Sequence, residues 1–341
     1  MPATAPDVPT PAEAFVPPGY EWRDGVLALG PLDLHFGGHL DHVEVTYRLA
    51  GAGDAPVVAV LGGISAGREV YSLQAGSPGW WEEAIGPGCA LDTDRFRVLG
   101  MDFLGGSHRT TGPAEGGTFP SVSAFDQARL LVALMDHLGI PQLQASLGAS
   151  YGGMVTLALA QAHPARLRHA VVLSAAHRTH PMSTAWRSVQ RAMVRYALRH
   201  GEGVQGLKVA RALAMATYRS AREFEDRFGG EPERTPDGFR FPVETYLFAR
   251  GESYAARYRP EAFVCLSESI DLHRVSPGEI RVPTTLLAVQ EDQLVPLADM
   301  RELRDRHGGT CGLVEVSSIY GHDAFLKETE VLRDLLARAL D

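Results

Sequence analysis

An α/β fold class with a largely parallel sheet is what this chain of 341 residues predicts, from three observations. Short apolar runs alternate with stretches of helical spacing, the arrangement that a parallel sheet with crossover helices requires. The pentapeptide Gly148-Ala149-Ser150-Tyr151-Gly152 stands at the junction of one such run and one such helix. A hydrophobic content of 45% is ample for one large core, or for a core with an insertion.

Residues 1–20 read as a loose arm, because Met1 to Pro18 is rich in Pro and Ala and lacks the basic head and apolar stretch of a signal peptide. Pro56 to Leu61 is a compact apolar strand ending in Gly62-Gly63, and Phe96 to Met101 is a second. Asp126 to Leu138 carries Ala128, Leu131, Leu134 and Leu138 on one face, with Gly139 as a stop, which predicts a helix. Leu143 to Leu147 reads as a strand, and Met154, Leu157, Ala158 and Ala160 keep helical spacing until His163-Pro164. His169 to Leu173, Pro283 to Val289 and Gly312 to Val316 complete the strands, and Val331 to Leu340 reads as a closing helix. Residues 21–176 and 281–341 are thereby assigned to the sheet domain. The stretch 177–280 differs in character: Trp186 to His200 and Leu207 to Tyr218 are helical in pattern, with Arg-rich polar faces and Gly-rich joints, and the stretch is expected to form a helical lid.

Net charge is −9 and no stripe of Lys or Arg is present to neutralise phosphates, so no nucleic-acid partner is expected. No run of about 18 apolar residues occurs, so no spanning helix and no membrane partner are expected. Cys89, Cys265 and Cys311 are scattered and odd in number, which favours a reducing compartment, and a soluble cytoplasmic protein is expected. No side-chain cluster has metal-ligand spacing, so no metal is expected.

The pentapeptide carries the chemistry. A serine hydroxyl is a poor nucleophile unless a tight strand-to-helix turn exposes it beside a general base, and Gly148 and Gly152 leave room for that turn. With Ser150 as nucleophile, the α/β-hydrolase chain order requires an acid and then a histidine, each past a strand end. Asp292 follows the run Thr284 to Val289, and His322 lies between the last strand and the closing helix. His322 is expected to take the Ser150 proton, and Asp292 to orient the imidazole. Glu291 is the rival acid, read as a solvated charge. The oxyanion of a tetrahedral intermediate needs donors, expected from the backbone N–H groups of Tyr151 and of Ile64 in Leu61-Gly62-Gly63-Ile64-Ser65.

Beyond the triad, the chain resembles the homoserine O-acyltransferase family of the α/β-hydrolase superfamily. The resemblance runs from about Ala55 to the C-terminus, through Gly79-Trp80-Trp81, Leu91-Asp92-Thr93-Asp94-Arg95-Phe96, Leu104-Gly105-Gly106, Thr111-Gly112-Pro113, Gly148 to Met154, Thr217-Tyr218-Arg219-Ser220 and Gly321-His322-Asp323-Ala324-Phe325-Leu326. It implies a ping-pong transferase in methionine biosynthesis: Ser150 takes an acyl group from an acyl-coenzyme A, which is a co-substrate and not a permanently bound cofactor, and L-homoserine removes it. It also implies that Arg219 holds the acceptor carboxylate and Asp323 its amine, and it suggests a homodimer formed through lid helices. Where acetyl users of the family typically have Gly-Leu-Thr-Gly-Asp-Ser, this chain has Gly63-Ile64-Ser65-Ala66-Gly67-Arg68, and it is short around Gly112 to Pro120. Those departures favour succinyl-CoA over acetyl-CoA, with Ser65, Arg68, His108 and Arg109 as candidates for the succinyl carboxylate. The alternatives are homoserine O-acetyltransferase, a serine O-acyltransferase, an esterase-type serine hydrolase and a catalytically silent binding module.

Overall fold

The computed structural model describes residues 19–73 and 78–340, so most of the expected N-terminal arm lies outside the described residues. Eight strands form one sheet: β1 (Tyr20–Leu29), β2 (Val43–Ala52), β3 (Val57–Leu61), β4 (Arg97–Met101), β5 (Ala145–Ala149), β6 (Ala170–Leu173), β7 (Thr284–Val289) and β8 (Cys311–Val316). Their spatial order is β1-β2-β4-β3-β5-β6-β7-β8. The pairs β1/β2 and β2/β4 are antiparallel, and all the others are parallel. The continuous apolar runs of β3, β5 and β6 are buried at every position, as parallel strands covered on both faces must be.

Two helices cover one face. α1 (Ala124–His137) begins with a capping box in which the Ser123 and Asp126 side chains each accept a bond from the other's backbone, and α2 (Tyr151–Ala162) follows β5 directly. Their Leu131, Leu134, Val155 and Leu159 share one apolar cluster with Leu61 and Leu99. Between β6 and β7 the described chain forms α3 (Pro181–Arg199), α4 (Gly203–Tyr218), α5 (Ala221–Phe228), α6 (Pro242–Ala255) and α7 (Pro260–Asp271), with a small hairpin before α6. α8 (Leu297–Arg306) links β7 to β8, and α9 (Thr329–Leu340) closes the opposite face with Leu332, Leu335 and Leu336 against Val60, Leu147 and Val171. No described helix is long and apolar enough to cross a membrane.

The expected strands and helices occur within a few residues of their expected bounds, with one instructive shift. The elbow strand runs over Ala145–Ala149 and not Leu143 to Leu147: Leu143 makes only an isolated bridge to Leu167, and pairing continues to the last residue before Ser150. Alternation alone did not reveal β1 and β2, whose outer pairing leaves β1 partly exposed. The short α5 and the polar α8 also lacked a helical apolar stripe long enough to read. In the parallel part of the sheet all strands point the same way, so the loops after β3, β5, β7 and β8 emerge along one edge.

Candidate active site

Ser150 occupies the sharpest turn on that edge. Its backbone is at φ 55° and ψ −118°, a region that L residues adopt only when the surroundings enforce it, at a cost of about 1–3 kcal/mol. Enforcement comes from both sides: Ser150 N–H donates to the Leu173 carbonyl at 2.9 Å, and Gly152 N–H donates to the Gly62 carbonyl at 2.8 Å. A Cβ at Gly148 would collide with the Gly152 carbonyl, and one at Gly152 with the Leu61 carbonyl. Both glycines are thus required by close backbone approach, not by their own dihedral angles.

The loops after β7 and β8 bring Asp292 and His322 to this serine. His322 Nε2 lies 2.9 Å from Ser150 Oγ, and His322 Nδ1 lies 2.7 Å from Asp292 Oδ2. The other Asp292 oxygen accepts from the N–H groups of Leu294 at 2.8 Å and Val295 at 3.0 Å, so the carboxylate is aimed before any ligand binds. His322 and Asp292 are each 5% exposed. Burial works against protonating His322, but the charge and hydrogen bond of Asp292 outweigh it and hold the imidazole above its ordinary value. Such a chain can take a proton from Ser150 Oγ and retain it on a stabilised imidazolium. Glu291, the rival acid, faces elsewhere: it accepts from Ser317 Oγ at 2.5 Å and Ser318 N–H at 2.8 Å, pinning the β7 and β8 loops together. It is therefore a tether and not merely a solvated charge.

Around Ser150 two cavities meet, both bordered by Ile64, Tyr218 and His322. The larger, about 340 Å³, is also lined by Ser65, His108, Trp80, Arg211, Tyr254, Tyr258 and Asp323. The smaller, about 50 Å³, lies between α2, α3 and the loop after β7, and is lined by Met154, Arg178, Trp186, Arg187, Gln190 and Val295 among others. Tyr151 opens α2 with its side chain buried and its hydroxyl 2.7 Å from Ser269 Oγ, so its backbone N–H is fixed beside the serine.

Several expected binding residues lie away from the two cavities. Arg219 lines neither cavity: it caps the end of α4, where its guanidinium lies 3.1 Å from Asp323 and 3.2 Å from Glu223. Arg68 is drawn to the buried carboxylate of Asp102 at 2.7 Å, whose other oxygen accepts the Arg68 N–H at 2.8 Å. Arg109 contacts Asp102 through its backbone N–H at 3.4 Å and also lines neither cavity. Of the acyl candidates, Ser65 and His108 border the larger cavity, with His108 Nε2 3.1 Å from the Ser65 carbonyl.

Four arginines line the cavities, Arg178 and Arg187 the smaller and Arg211 and Arg257 the larger, and none was singled out from the sequence. Arg211 stands between the rings of Tyr218 and Tyr254, with its guanidinium carbon 5.0 and 4.5 Å from their centroids, and donates to the Tyr218 hydroxyl at 3.2 Å. Among the described residues no carboxylate lies within ion-pair distance of Arg211. Arg187 borders the smaller cavity and shares the single carboxylate of Asp271 with Arg191, at 2.7 and 2.5 Å. One carboxylate serving two guanidiniums leaves one positive charge for a further anion. The available signal was position: Arg211 lies on the stripe Leu207, Ala214, Met215, and Arg187 on the stripe Ser183, Gln190, Val194, where a helix normally buries apolar residues. Among the described residues no group of three or more His, Cys, Asp or Glu could hold a metal ion.

The α/β hydrolase fold family matches residues 56–329. A homoserine O-succinyltransferase of Xanthomonas campestris pv. campestris is 41% identical over 99% of this chain and 89% of its own length. A homoserine O-acetyltransferase of Mycobacterium sp. strain KMS is 33% identical, covering 94% of this chain and 95% of its own. A serine O-succinyltransferase of Litchfieldella anticariensis is also 33% identical, over 91% of this chain and 96% of its own. Among solved structures, a homoserine O-acetyltransferase from Bacillus anthracis superposes with a TM-score of 0.85 at 18% identity, over 94% of this chain and 99% of that one. Esterase E22 does so with 0.84 at 19%, over 94% and 100%, so the shared fold does not separate transfer from hydrolysis.

The geometry makes Ser150 reactive only while His322 is neutral, and the raised imidazole moves that condition upward in pH. Labelling of Ser150 by a fluorophosphonate will therefore fall off on the acid side of a limb lying above the ordinary imidazole range. Asp292→Asn removes the charge that raises His322, so the limb will shift to lower pH and the plateau rate will drop by about three to four orders of magnitude. Unchanged labelling in that variant would overturn the arrangement.

Proposed function

The chain belongs to the homoserine O-acyltransferase family of α/β hydrolases and is an acyltransferase, and from that membership we propose that it succinylates L-homoserine from succinyl-CoA in methionine biosynthesis. The observation that carries this reading is a cavity opening on Ser150 that bears an arginine with no carboxylate in ion-pair contact among the described residues, Arg211, together with a carboxylate, Asp323, whose charge acts on it. A free amino acid needs both charges, and an ordinary ester needs neither. We assign Arg211, in place of Arg219, to the acceptor carboxylate, and Asp323 to its amine. Arg219 then serves to hold Asp323 at 3.1 Å.

The mechanism follows from the triad. Ser150 Oγ attacks the thioester carbonyl while its proton passes to His322 Nε2, and Asp292 stabilises the imidazolium. The oxyanion is held by the N–H groups of Ile64 and Tyr151. Collapse expels the coenzyme A thiolate, which leaves with the proton from His322. In the second half the homoserine hydroxyl gives its proton to His322 and attacks the acyl-serine, and Ser150 departs reprotonated. The helices α3–α7 form the lid over residues 177–280 that keeps water from the acyl-enzyme.

Succinyl as the acyl group is supported by Arg187. An acyl chain on Ser150 extends into the smaller cavity, where the doubly shared Asp271 leaves a guanidinium available for a terminal carboxylate. Arg178 is less suited, since Asp299 and Glu302 already flank it at 3.5 Å. Association of two copies is supported by the outer face of α3, where Met182, Ala185, Val189, Ala192 and Tyr196 are all exposed at alternating spacings of three and four. Such a seam, with alanines permitting close approach, suits pairing with the same helix of a second copy. The free thiols of Cys89, Cys265 and Cys311 support a cytoplasmic setting.

Purified protein will release thiol from succinyl-CoA only when L-homoserine is added, mass spectrometry will identify O-succinylhomoserine, and Ser150→Ala will abolish both. Release without acceptor would make the protein a hydrolase, and a preference for L-serine would change the acceptor. A charge-assisted hydrogen bond is worth about 1.5–3 kcal/mol, or roughly 10- to 100-fold. Arg211→Met will accordingly raise KM for homoserine by about that factor and leave KM for the donor within a few-fold. Arg187→Leu will lower kcat/KM for succinyl-CoA by a similar factor and spare acetyl-CoA, whereas equal losses would remove the case for succinyl. Sedimentation will give twice the chain mass, and Val189→Glu with Ala192→Glu will halve it; an unchanged mass would refute pairing through α3.

A further inference from the structure

Two consecutive residues at the joint between α6 and α7 are bonded to the core loops beside Ser150. The Tyr258 hydroxyl donates to the Ile64 carbonyl at 2.8 Å, and the Arg259 N–H donates to Ser107 Oγ at 2.6 Å. Tyr258 is 5% exposed, and its ring lies on that of Tyr254 with centroids 4.9 Å apart. On the far side of the same turn, Ala66 N–H donates to the Gly63 carbonyl at 2.8 Å.

These two bonds act on adjacent peptide planes. A trans peptide carries its C=O and its N–H on opposite edges of one rigid unit, so fixing the carbonyl fixes the N–H. Ala66 thereby sets the plane that contains the Ile64 N–H, and Tyr258 sets the next plane, so Ile64 is clamped from both sides. Gly62 and Gly63 give the backbone wide rotational freedom; the Gly152 N–H holds the Gly62 carbonyl, and the clamp fixes the two planes that follow.

We propose that Tyr258 is a positioning residue for the reaction: its hydroxyl, carried by the lid, holds the loop after β3 so that the Ile64 N–H points at the oxyanion. The inference rests on the reading of Ser150 as nucleophile and Ile64 as an oxyanion donor. Its consequence is that the oxyanion site is complete only while the α6–α7 joint is docked, so the chemical step is confined to the covered state of the cavity. Burial lifts the Tyr258 phenol well above its ordinary value, which keeps it a donor across the neutral range.

The test is Tyr258→Phe in the full chain, which keeps the ring and removes only the donor. Three quantities are read well below the variant's own melting temperature: the acylation burst with p-nitrophenyl acetate, the affinity of a trifluoromethyl ketone that captures Ser150 as an oxyanion adduct, and the calorimetric Kd of desulfo-coenzyme A. Loss of an oxyanion donor costs about 100- to 1,000-fold, and loosening one costs less. The burst rate and the ketone affinity are expected to fall together by about 10-fold or more, with the desulfo-coenzyme A Kd unchanged. Burst and ketone affinity within about twofold of the parent would overturn the proposal, as would an equal fall in desulfo-coenzyme A affinity, which would mark a general loosening of the cavity. A full burst in Ser150→Ala would instead refute the nucleophile, so the two failures are distinguishable.

Discussion

One backbone contact underlies everything at this site: the hydrogen bond from Gly152 N–H to the Gly62 carbonyl, made where the first turn of α2 presses against the end of β3. The approach leaves no room for a Cβ at Gly152, so it exists only because that residue has none. It fixes the α2 N-terminus, and with it the Tyr151 N–H, against the loop that carries Ile64. It also holds Ser150 in a backbone region that would otherwise relax. The parallel register of β3, β5 and β6 makes the contact possible by ending three neighbouring strands on one edge. The strain at Ser150 is therefore balanced by sheet packing far from solvent, and the nucleophile's position belongs to the core and not to a mobile loop.

Charge distribution is the second organising constraint. A buried cation without a partner is costly, and most arginines around the cavities are neutralised: Arg68 by Asp102, Arg178 by Asp299 and Glu302, Arg219 by Asp323 and Glu223. Arg211 and Arg187 depart from that rule in different ways. Arg211 is stabilised by two aromatic rings, which offset part of the desolvation, and it gives one donor to the Tyr218 hydroxyl. Arg187 shares Asp271 with a second guanidinium. Arg211 borders the larger cavity and Arg187 the smaller, and both cavities reach Ser150.

The fold and the juxtaposition of Ser150, His322 and Asp292 were legible because both depend on local signals. Apolar runs of four to six residues announce buried parallel strands, and Ser150, Asp292 and His322 each stand just past such a run. The outer strands β1 and β2 were not legible: β1 is a partly exposed edge strand that pairs only with β2, and the inner neighbour of β2 is β4, more than forty residues further along. Binding residues were hardest. Arg211 lies within α4, whereas Arg219, eight positions on, is the extended residue that caps it, so the direction of each side chain depends on where the helix ends. Motif resemblance favoured the one beside Ser220, whereas the apolar stripe pointed to the other. Tyr258 could not be singled out at all, because its role is a single hydrogen bond across 194 residues of sequence.

The triad by itself cannot separate transfer from hydrolysis, because the same proton relay activates an alcohol or a water. What separates them is how long the acyl-enzyme waits and what stands next to it. An acceptor held by both its charges is presented at an effective concentration far above its level in solution, whereas water gains nothing from Arg211 or Asp323. A hydrolase of neutral esters has no use for a guanidinium in its cavity, and the desolvation such a group carries would be removed by substitution. Its presence beside a serine already made reactive by the sheet therefore argues for an anionic acceptor. The helical layer is tied to the sheet domain beside this cavity, by Tyr258 to Ile64 and by Arg259 to Ser107, and the Tyr258 ring lies against Tyr254, one of the two rings that flank Arg211.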